Sequence, residues 1–254
     1  MIEIGISVKA APWRMEDSAS RVADMRFQTE KVSLFADIAD QNGFVSCEGC
    51  GAATRIAIND RDTGLTRQGY FEVHHKSGDH ADNSRKNLAI LCPFCHAPFH
   101  IGFNCAAENG CLVYAPEIAQ ADISRIAFVA TTFYHVTDNQ YVTSLKQHYG
   151  RLSARRTLVD DVIGADAGVN VAREILSILR DRRPGSNERR AALPRLLSPI
   201  RYLPYIEESN IGKASAYWRR IYRGIQPDEQ ALKGWWDRIR AADRGGGSGG
   251  LVRS

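Results

Sequence analysis

The chain has 254 residues, of which 44% are hydrophobic and 24% charged, and its formal net charge is +4. This composition is ordinary for a globular protein and supplies enough apolar material for a core without disulfides. No apolar run reaches the length of a membrane span, and residues 1–17 lack the basic start and apolar stretch of a signal peptide. We therefore expect a cytoplasmic protein, in which six cysteines indicate metal ligands before disulfides.

The basic residues concentrate in the C-terminal third of the chain. Residues 172–254 hold 17 Lys and Arg against 9 Asp and Glu, whereas residues 1–171 hold 16 against 20. The same third contains three of the four tryptophans. A basic and aromatic region of this kind can contact DNA or an acidic partner, and it is equally typical of a solvated helical face.

The first 110 residues contain short predicted strands and polar loops. Residues 2–9 alternate apolar and polar side chains, which predicts a strand, and residues 21–40 have apolar residues at helical spacing. The segments GYFEVHH and NLAILC predict two strands that are separated by a polar loop. The segment PFCHAPFH, residues 93–100, predicts the start of a helix that contains Pro98 in an unfavourable position.

Beyond residue 110 the pattern is mainly helical. GCLVYAP predicts a short strand or extended run, and residues 116–136 predict a long helix with a proline near its N-terminus. Further helices follow, with breaks at residues 181–186 and 201–204. We expect an α+β fold in which a zinc-binding region, 1–110, and a helical region, 111–243, form one integrated domain. Residues 244–254 are rich in Gly and Ser, which predicts a disordered tail.

Two CxxC pairs indicate a structural metal site. Cys47 and Cys50 form the first pair, and Cys92 and Cys95 form the second. Each CxxC turn can direct two sulfurs at one metal, and zinc prefers four such ligands in a tetrahedron. Core cysteines rarely fall in two matched pairs, and a redox motif needs only one. The pattern therefore predicts a four-cysteine structural Zn²⁺ site.

Two cysteines remain outside these pairs, Cys105 and Cys111. We expect them to be core or surface thiols. The alternatives are a local disulfide or an accessory pair of ligands.

The histidines of residues 71–100 form a second constellation. His74 and His75 are adjacent in a predicted strand, so their side chains point to opposite faces, and His96 and His100 share one face of a helix. His74, His96 and His100 can therefore bind a catalytic metal and leave positions open for water and phosphate. His75 would then be the general base, with Asn87 reaching across the hairpin to orient it. The alternative is that these histidines only pack.

This arrangement resembles the HNH nuclease motif, the ββα-metal fold. The adjacent histidines, an asparagine nine residues before a histidine, and the HxxxH pair occur in that family's order. The resemblance implies that His75 is the general base, Asn87 the middle asparagine, and His74, His96 and His100 the ligands of Mg²⁺, Mn²⁺, Ni²⁺ or Zn²⁺. The flanking cysteine pairs also occur in many HNH proteins.

Pro98 is a departure from the HNH pattern. It lies between the last two histidines, where it can distort the first helical turn and remove His100 from the metal. His80 is a nearby substitute ligand, although a loop histidine is more often solvated.

A second resemblance extends along nearly the whole chain. The segments ISVKAAPWRM, CEGCG, SPIRYLP and SAYWRRIY are similar to the IcmJ family, also called DotN, of type IVB (Dot/Icm) secretion systems. It implies a cytoplasmic component, peripheral at the inner membrane, that binds the C-terminal extension of the coupling ATPase. Members of that family keep the cysteines but lack the paired histidines that this sequence has.

Three functions follow from these patterns. The leading expectation is a coupling-complex component of a secretion or conjugation system, built on an HNH frame, and the second is an active HNH endonuclease that nicks DNA. A coupling-complex component needs side chains that anchor a partner, and the candidates are Trp218, Trp235 and Trp236. The alternative is that these tryptophans pack in the core. An endonuclease needs phosphate-binding residues, and the candidates are Arg55, Lys76, Arg85 and Lys86. The alternative is that these four are ordinary loop charges. A DNA-binding module without catalysis is the third.

Overall fold

A computed structural model describes residues 44–55, 71–77, 82–106, 109–164, 167–180, 192, 197–206, 219–220, 222 and 227–246. The predicted strand at 2–9, the predicted helix at 21–40, His80 and Trp218 lie outside these residues.

Two antiparallel strand pairs open the described part of the chain. Strands β1 (Phe44–Ser46) and β2 (Ala53–Arg55) flank the first CxxC turn. Strands β3 (Glu72–His75) and β4 (Leu88–Leu91) form the second pair and confirm the two strands predicted in this segment. Every residue of β4 is buried, so this strand lies in the interior of the protein.

Short helical segments follow β4. Helix α1 (Pro93–His96) begins with proline at its first turn, where the missing N–H costs nothing. A 3₁₀ turn (Ala97–Phe99) and helix α2 (Ile101–Ala106) continue the chain. The second cysteine pair and the HxxxH pair therefore lie on consecutive turns directly after the buried strand.

The C-terminal part contains a strand pair of which the sequence indicated one strand. Strand β5 (Gly110–Tyr114) is the predicted extended run, and its antiparallel partner is β6 (Ile200–Pro204). We predicted only a break between helices at residues 201–204, and that prediction is corrected, since the segment is a strand. The side chain of Gln120 accepts from the backbone N–H of Tyr202 and donates to its carbonyl, both at 2.8 Å, as a neighbouring strand would.

Among the described residues, five longer helices follow, and they are α3 (Gln120–Thr132), α4 (Gln140–Ala154), α5 (Arg156–Ile163), α6 (Ala167–Arg180) and α7 (Glu229–Gly246). Helix α3 starts four residues after the start predicted at residue 116, because residues 116–118 form a turn instead. None of the described helices is long and apolar enough to cross a bilayer.

One apolar core connects the cysteine turns to the last helix. It runs from Val45 and the four paired cysteines through α3 and α4 to Leu232 and Ile239 of α7. Trp235 and Trp236, considered as partner anchors, are half-buried and pack against this core. Helix α7 continues to residue 246, so the first three residues of the predicted tail lie in its last turn.

Candidate functional site

The four paired cysteines converge on one point in the interior. Cys47, Cys50, Cys92 and Cys95 are all buried, and their sulfur atoms lie within 4.8 Å of one another. The Sγ atoms of Cys50 and Cys92 are 3.6 Å apart. Four sulfurs at about 2.3 Å from a tetrahedral zinc lie about 3.8 Å from one another. The cluster therefore has the donors and the size to bind a metal such as zinc.

The backbone of the first turn is shaped around these sulfurs. Gly51 has φ of +78°, a conformation that glycine adopts without a steric cost, and its N–H donates to the Cys47 carbonyl at 2.9 Å. Backbone N–H groups of Ala52 and Cys92 donate to the sulfurs of Cys50 and Cys47 at 3.4 and 3.1 Å. Such donors stabilise thiolates, which are the form that binds a metal.

The thiols of the metal-free cluster do not ionise alike. Hydrogen bonds from Cys50, Cys92 and Cys95 hold the pKa of Cys47 far below its usual value. Burial raises the pKa of Cys92 well above it, and so do hydrogen bonds to its neighbours. Because thiolates are the form that binds a metal, binding of a cation at this cluster releases protons.

Helix α3 contacts both CxxC turns. Arg125 donates to the carbonyls of Gly49 and Cys50 at 3.3 and 3.4 Å, and Ser124 donates to the carbonyl of Phe94 at 2.9 Å. The guanidinium places a positive charge beside a site whose thiolates are negative. Sequence reasoning missed both residues, since they lie 30 to 76 positions from the groups they contact.

The first cysteine turn is also bound to the strand pair that carries the histidines. The N–H of Glu48 donates to the carbonyl of Ile90 at 2.9 Å, and Oε1 of Glu48 accepts from the N–H of Ile90 at 3.0 Å. The other carboxylate oxygen lies 3.6 Å from Nζ of Lys76. Since Ile90 lies in β4, these hydrogen bonds hold this strand against the first cysteine turn.

Strand β3 divides its side chains between two faces. Glu72 and His74 are half-buried, whereas Val73 and His75 are buried. This alternation is the period of two that a strand imposes. His74 and His75 therefore lie in different surroundings.

On the half-buried face, a carboxylate and two imidazoles form a chain. Oε2 of Glu72 lies 2.5 Å from Nδ1 of His96, and Nε2 of His96 lies 3.1 Å from Nε2 of His100. Metal-binding histidines usually present one nitrogen to the cation and donate the other N–H to a carboxylate. Glu72, which sequence reasoning missed, occupies that second position behind His96.

Pro98 does not separate the last two histidines. The backbone tightens into the 3₁₀ turn at Pro98, and His100 N–H donates to the Ala97 carbonyl at 2.9 Å. His100 itself leaves the helical conformation, with φ of −129° and ψ of 42°. The two Nε2 atoms nevertheless meet at 3.1 Å, so the distortion that we expected occurs without removing His100 from His96.

His74 lies beside this pair. Its ring stacks on Phe99 with centroids 3.9 Å apart and meets the ring of His96 edge-on at 5.6 Å. Among the described residues, the four cysteines alone bring three or more ligand atoms within 4.8 Å of one another. The structure thus pairs His96 with His100 and leaves the predicted third ligand adjacent to them.

His75 is held by a residue that the sequence did not single out. Its exposed fraction is 4%, and its Nε2 lies 2.8 Å from Oδ1 of Asn83. The amide of Asn87, which we expected to orient His75, bonds to the backbone of Ser77 and Asp82 at 2.8 and 2.7 Å. Asn87 therefore closes the loop between β3 and β4, and Asn83 contacts the imidazole.

Three of the four predicted phosphate-binding residues lie beside this loop. Lys76, Arg85 and Lys86 are exposed and flank His75 and Asn87 in the chain. Arg85 also donates to the Leu88 carbonyl at 3.3 Å. Arg55 ends β2, and its side chain lies outside the described part of the structure.

The two remaining cysteines are free, buried thiols. Burial raises the pKa of Cys105 to about 12 and that of Cys111 to about 11. They therefore stay protonated at neutral pH and pack as core residues, as predicted, and form no local disulfide in this structure.

Comparison with known proteins agrees with the HNH pattern. The chain is 35% identical over 80 residues to the H-N-H endonuclease F-TflIV of Escherichia phage T5. The match spans 31% of this chain and 31% of the phage protein. No family model matches the chain.

Proposed function

We propose that this chain is a metal-dependent endonuclease of the HNH type that hydrolyses DNA phosphodiester bonds. The observation that carries the proposal is the chain from Glu72 to His96 to His100, which joins a carboxylate to two imidazoles beside the histidine-bearing strand. Strands β3 and β4 and the helical turns after them would form the ββα-metal core. The similarity to the phage H-N-H endonuclease supports the same reading.

The donor set fits a catalytic divalent cation. Two nitrogens at about 2.0–2.1 Å from one metal, with an angle between about 90° and 110°, lie about 2.9–3.4 Å apart. The observed separation of His96 and His100 is 3.1 Å. His74 would complete the set if its ring turned away from Phe99. Mg²⁺, Mn²⁺, Ni²⁺ and Zn²⁺ are the candidate ions, and zinc is the ion that we propose for the cysteine site.

The proposed reaction gives separate roles to His75 and to the histidine pair. A cation held by His96 and His100 would polarise the scissile phosphate and stabilise charge on the leaving oxygen. His75 takes a proton from a water molecule as the water oxygen bonds to phosphorus. The bond from phosphorus to the leaving sugar oxygen breaks, and that oxygen receives a proton from solvent. Asn87 keeps the loop beside His75 closed during these steps.

DNA binding would use the exposed cations beside the loop. Lys76, Arg85 and Lys86 can each neutralise a phosphate, so binding should weaken as salt concentration rises. Contacts of this kind position the duplex and carry no sequence information. We therefore propose DNA as the substrate and assign no target sequence.

A plasmid-nicking assay tests the proposal. The full chain, with zinc in its cysteine site, is incubated with supercoiled DNA and Mg²⁺, Mn²⁺, Ni²⁺ or Zn²⁺. Nicking should fall about 100- to 10,000-fold in His75→Ala, which is the usual contribution of a general base. His135→Ala is the matched control, since His135 is exposed after the end of α3. Absence of nicking with every metal, in folded protein, overturns the proposal.

A second candidate is the secretion-system component that the IcmJ resemblance implies. This candidate is supported by an exposed apolar strip on α5, formed by Leu158, Val162 and Ile163. A partner segment can cover a strip of this kind. Titration of the chain with the C-terminal extension of a coupling ATPase tests this role. Binding that Val162→Glu abolishes supports it, and absence of binding removes it.

A further inference from the structure

We propose that Asn83 is a positioning residue that fixes the orientation and tautomer of His75. The proposal deepens the endonuclease function and rests on it for the role of His75. Its basis is the contact between His75 Nε2 and Asn83 Oδ1, at 2.8 Å, on a histidine that is 4% exposed.

The chemistry of the contact assigns the proton. An amide oxygen only accepts hydrogen bonds, so Nε2 of His75 must be the donor to Oδ1 of Asn83. A neutral imidazole has one N–H, and its lone pair then lies on Nδ1. Asn83 thereby holds the ring in one orientation, with the proton on Nε2.

Asn83 is itself held in place by its neighbours. Oδ1 of Asp82 accepts from the N–H of Ser84 at 2.9 Å, which forms a local turn around Asn83. Asn87 then fixes both ends of this turn: its side chain donates to the Asp82 carbonyl at 2.7 Å, and its N–H donates to the Ser84 carbonyl at 2.8 Å. A braced residue of this kind orients a neighbouring ring with little additional entropy cost.

This arrangement gives Asn87 and Asn83 separate tasks. Asn87, the asparagine of the HNH pattern, stabilises the loop by hydrogen bonds, and Asn83 connects that loop to His75. A residue that only stabilised the loop would affect folding and leave the imidazole tautomer unchanged. The tautomer is therefore the property that separates the two roles.

The test reads the tautomer directly by nitrogen-15 NMR of the full chain. Long-range proton–nitrogen correlations distinguish the two ring nitrogens, and the His75 signals are identified by their loss in His75→Gln. Asn83→Leu removes the acceptor at nearly constant size, Asn83→Asp retains an acceptor oxygen, and Asn170→Leu repeats the substitution at a distant position on α6. Thermal unfolding of each variant measures stability separately.

Wild type and Asn83→Asp should both carry the proton on Nε2, whereas Asn83→Leu should show a mixture of tautomers. In the nicking assay kcat of Asn83→Leu should fall about 10- to 100-fold, the range seen when the partner of a functional imidazole is removed. KM for DNA should stay within about twofold. An unchanged tautomer in Asn83→Leu overturns the proposal, whether or not the wild type nicks DNA. Loss of nicking in the wild type alone refutes the endonuclease function instead.

Discussion

Replacing Glu72 with glutamine tests the carboxylate behind the histidine pair. Glutamine keeps the length and shape of the side chain and removes its charge. The carboxylate lies 2.5 Å from Nδ1 of His96, so the substitution replaces a charge-assisted hydrogen bond with a neutral one. We expect weaker metal binding at His96 and His100 and little change in folding.

The size of the effect follows from the contact and its exposure. A hydrogen bond to a charged group contributes about 1.5–3 kcal/mol, and a neutral one about 1 kcal/mol. The Glu72 side chain is 41% exposed, so solvent screens part of this difference. A loss of about 0.5–1 kcal/mol remains, which is about two- to fivefold in the dissociation constant.

Calorimetric titration with Ni²⁺ measures this change. The chain is first loaded with zinc at the cysteine site, so that the added metal binds at the histidines. Glu229→Gln is the control, because Glu229 is exposed at the start of α7, distant from the site in the sequence. His100→Ala should abolish binding and thereby identify the site. Equal Ni²⁺ affinity in wild type and Glu72→Gln would refute the role assigned to the carboxylate.

Three further predictions concern the frame around the site. Gly168→Ala should lower the free energy of unfolding by about 1–3 kcal/mol, because its new Cβ would lie 2.6 Å from the sulfur of Cys105. The control is Gly150→Ala, whose new Cβ would meet nothing within 4 Å, and it should raise the free energy of unfolding by about 0.5–1 kcal/mol. Urea denaturation compares the two variants, and equal effects would contradict the packing argument. Stripping metal from the cysteine site should abolish Ni²⁺ binding at the histidines, because Glu48 fixes β4 to the cysteine turn; a zinc-free chain that still binds Ni²⁺ would disprove this coupling. Stability should fall as pH rises from about 9 towards 12, because the unfolded chain releases the protons of Cys105 and Cys111 while the folded chain retains them. Urea midpoints at pH 8 and 10.5 should differ less in the Cys105→Ala, Cys111→Ala double variant than in wild type, and an equal difference would refute this assignment.

The cysteine site was predictable because its information is local. A CxxC turn fixes the spacing of two sulfurs within four residues, so each of the two cysteine pairs can be recognised in the sequence. The strands β3 and β4 were predictable for the same reason, since alternation and composition are local patterns. The fold then has to bring the two CxxC turns together.

The residues that act from a distance were not predictable. Arg125 contacts the first cysteine turn across 75 positions, and β6 pairs with a strand that lies about 90 residues earlier. Glu72 and Asn83 are polar residues of ordinary kinds, and their roles depend on which way a strand and a loop present them. Burial of Trp235 and Trp236 against the core likewise depends on where α7 docks.

The most direct test of the endonuclease function is cleavage of a labelled DNA duplex under single-turnover conditions by a variant that lacks both histidines of the pair. Wild type and the His96→Ala, His100→Ala double variant are compared at equal zinc content, with added Mg²⁺, Mn²⁺ or Ni²⁺. We predict cleavage by wild type that requires the added metal and a rate at least about 100-fold lower in the variant. Equal rates in the two proteins, or no cleavage by wild type with any metal, would contradict the proposed function.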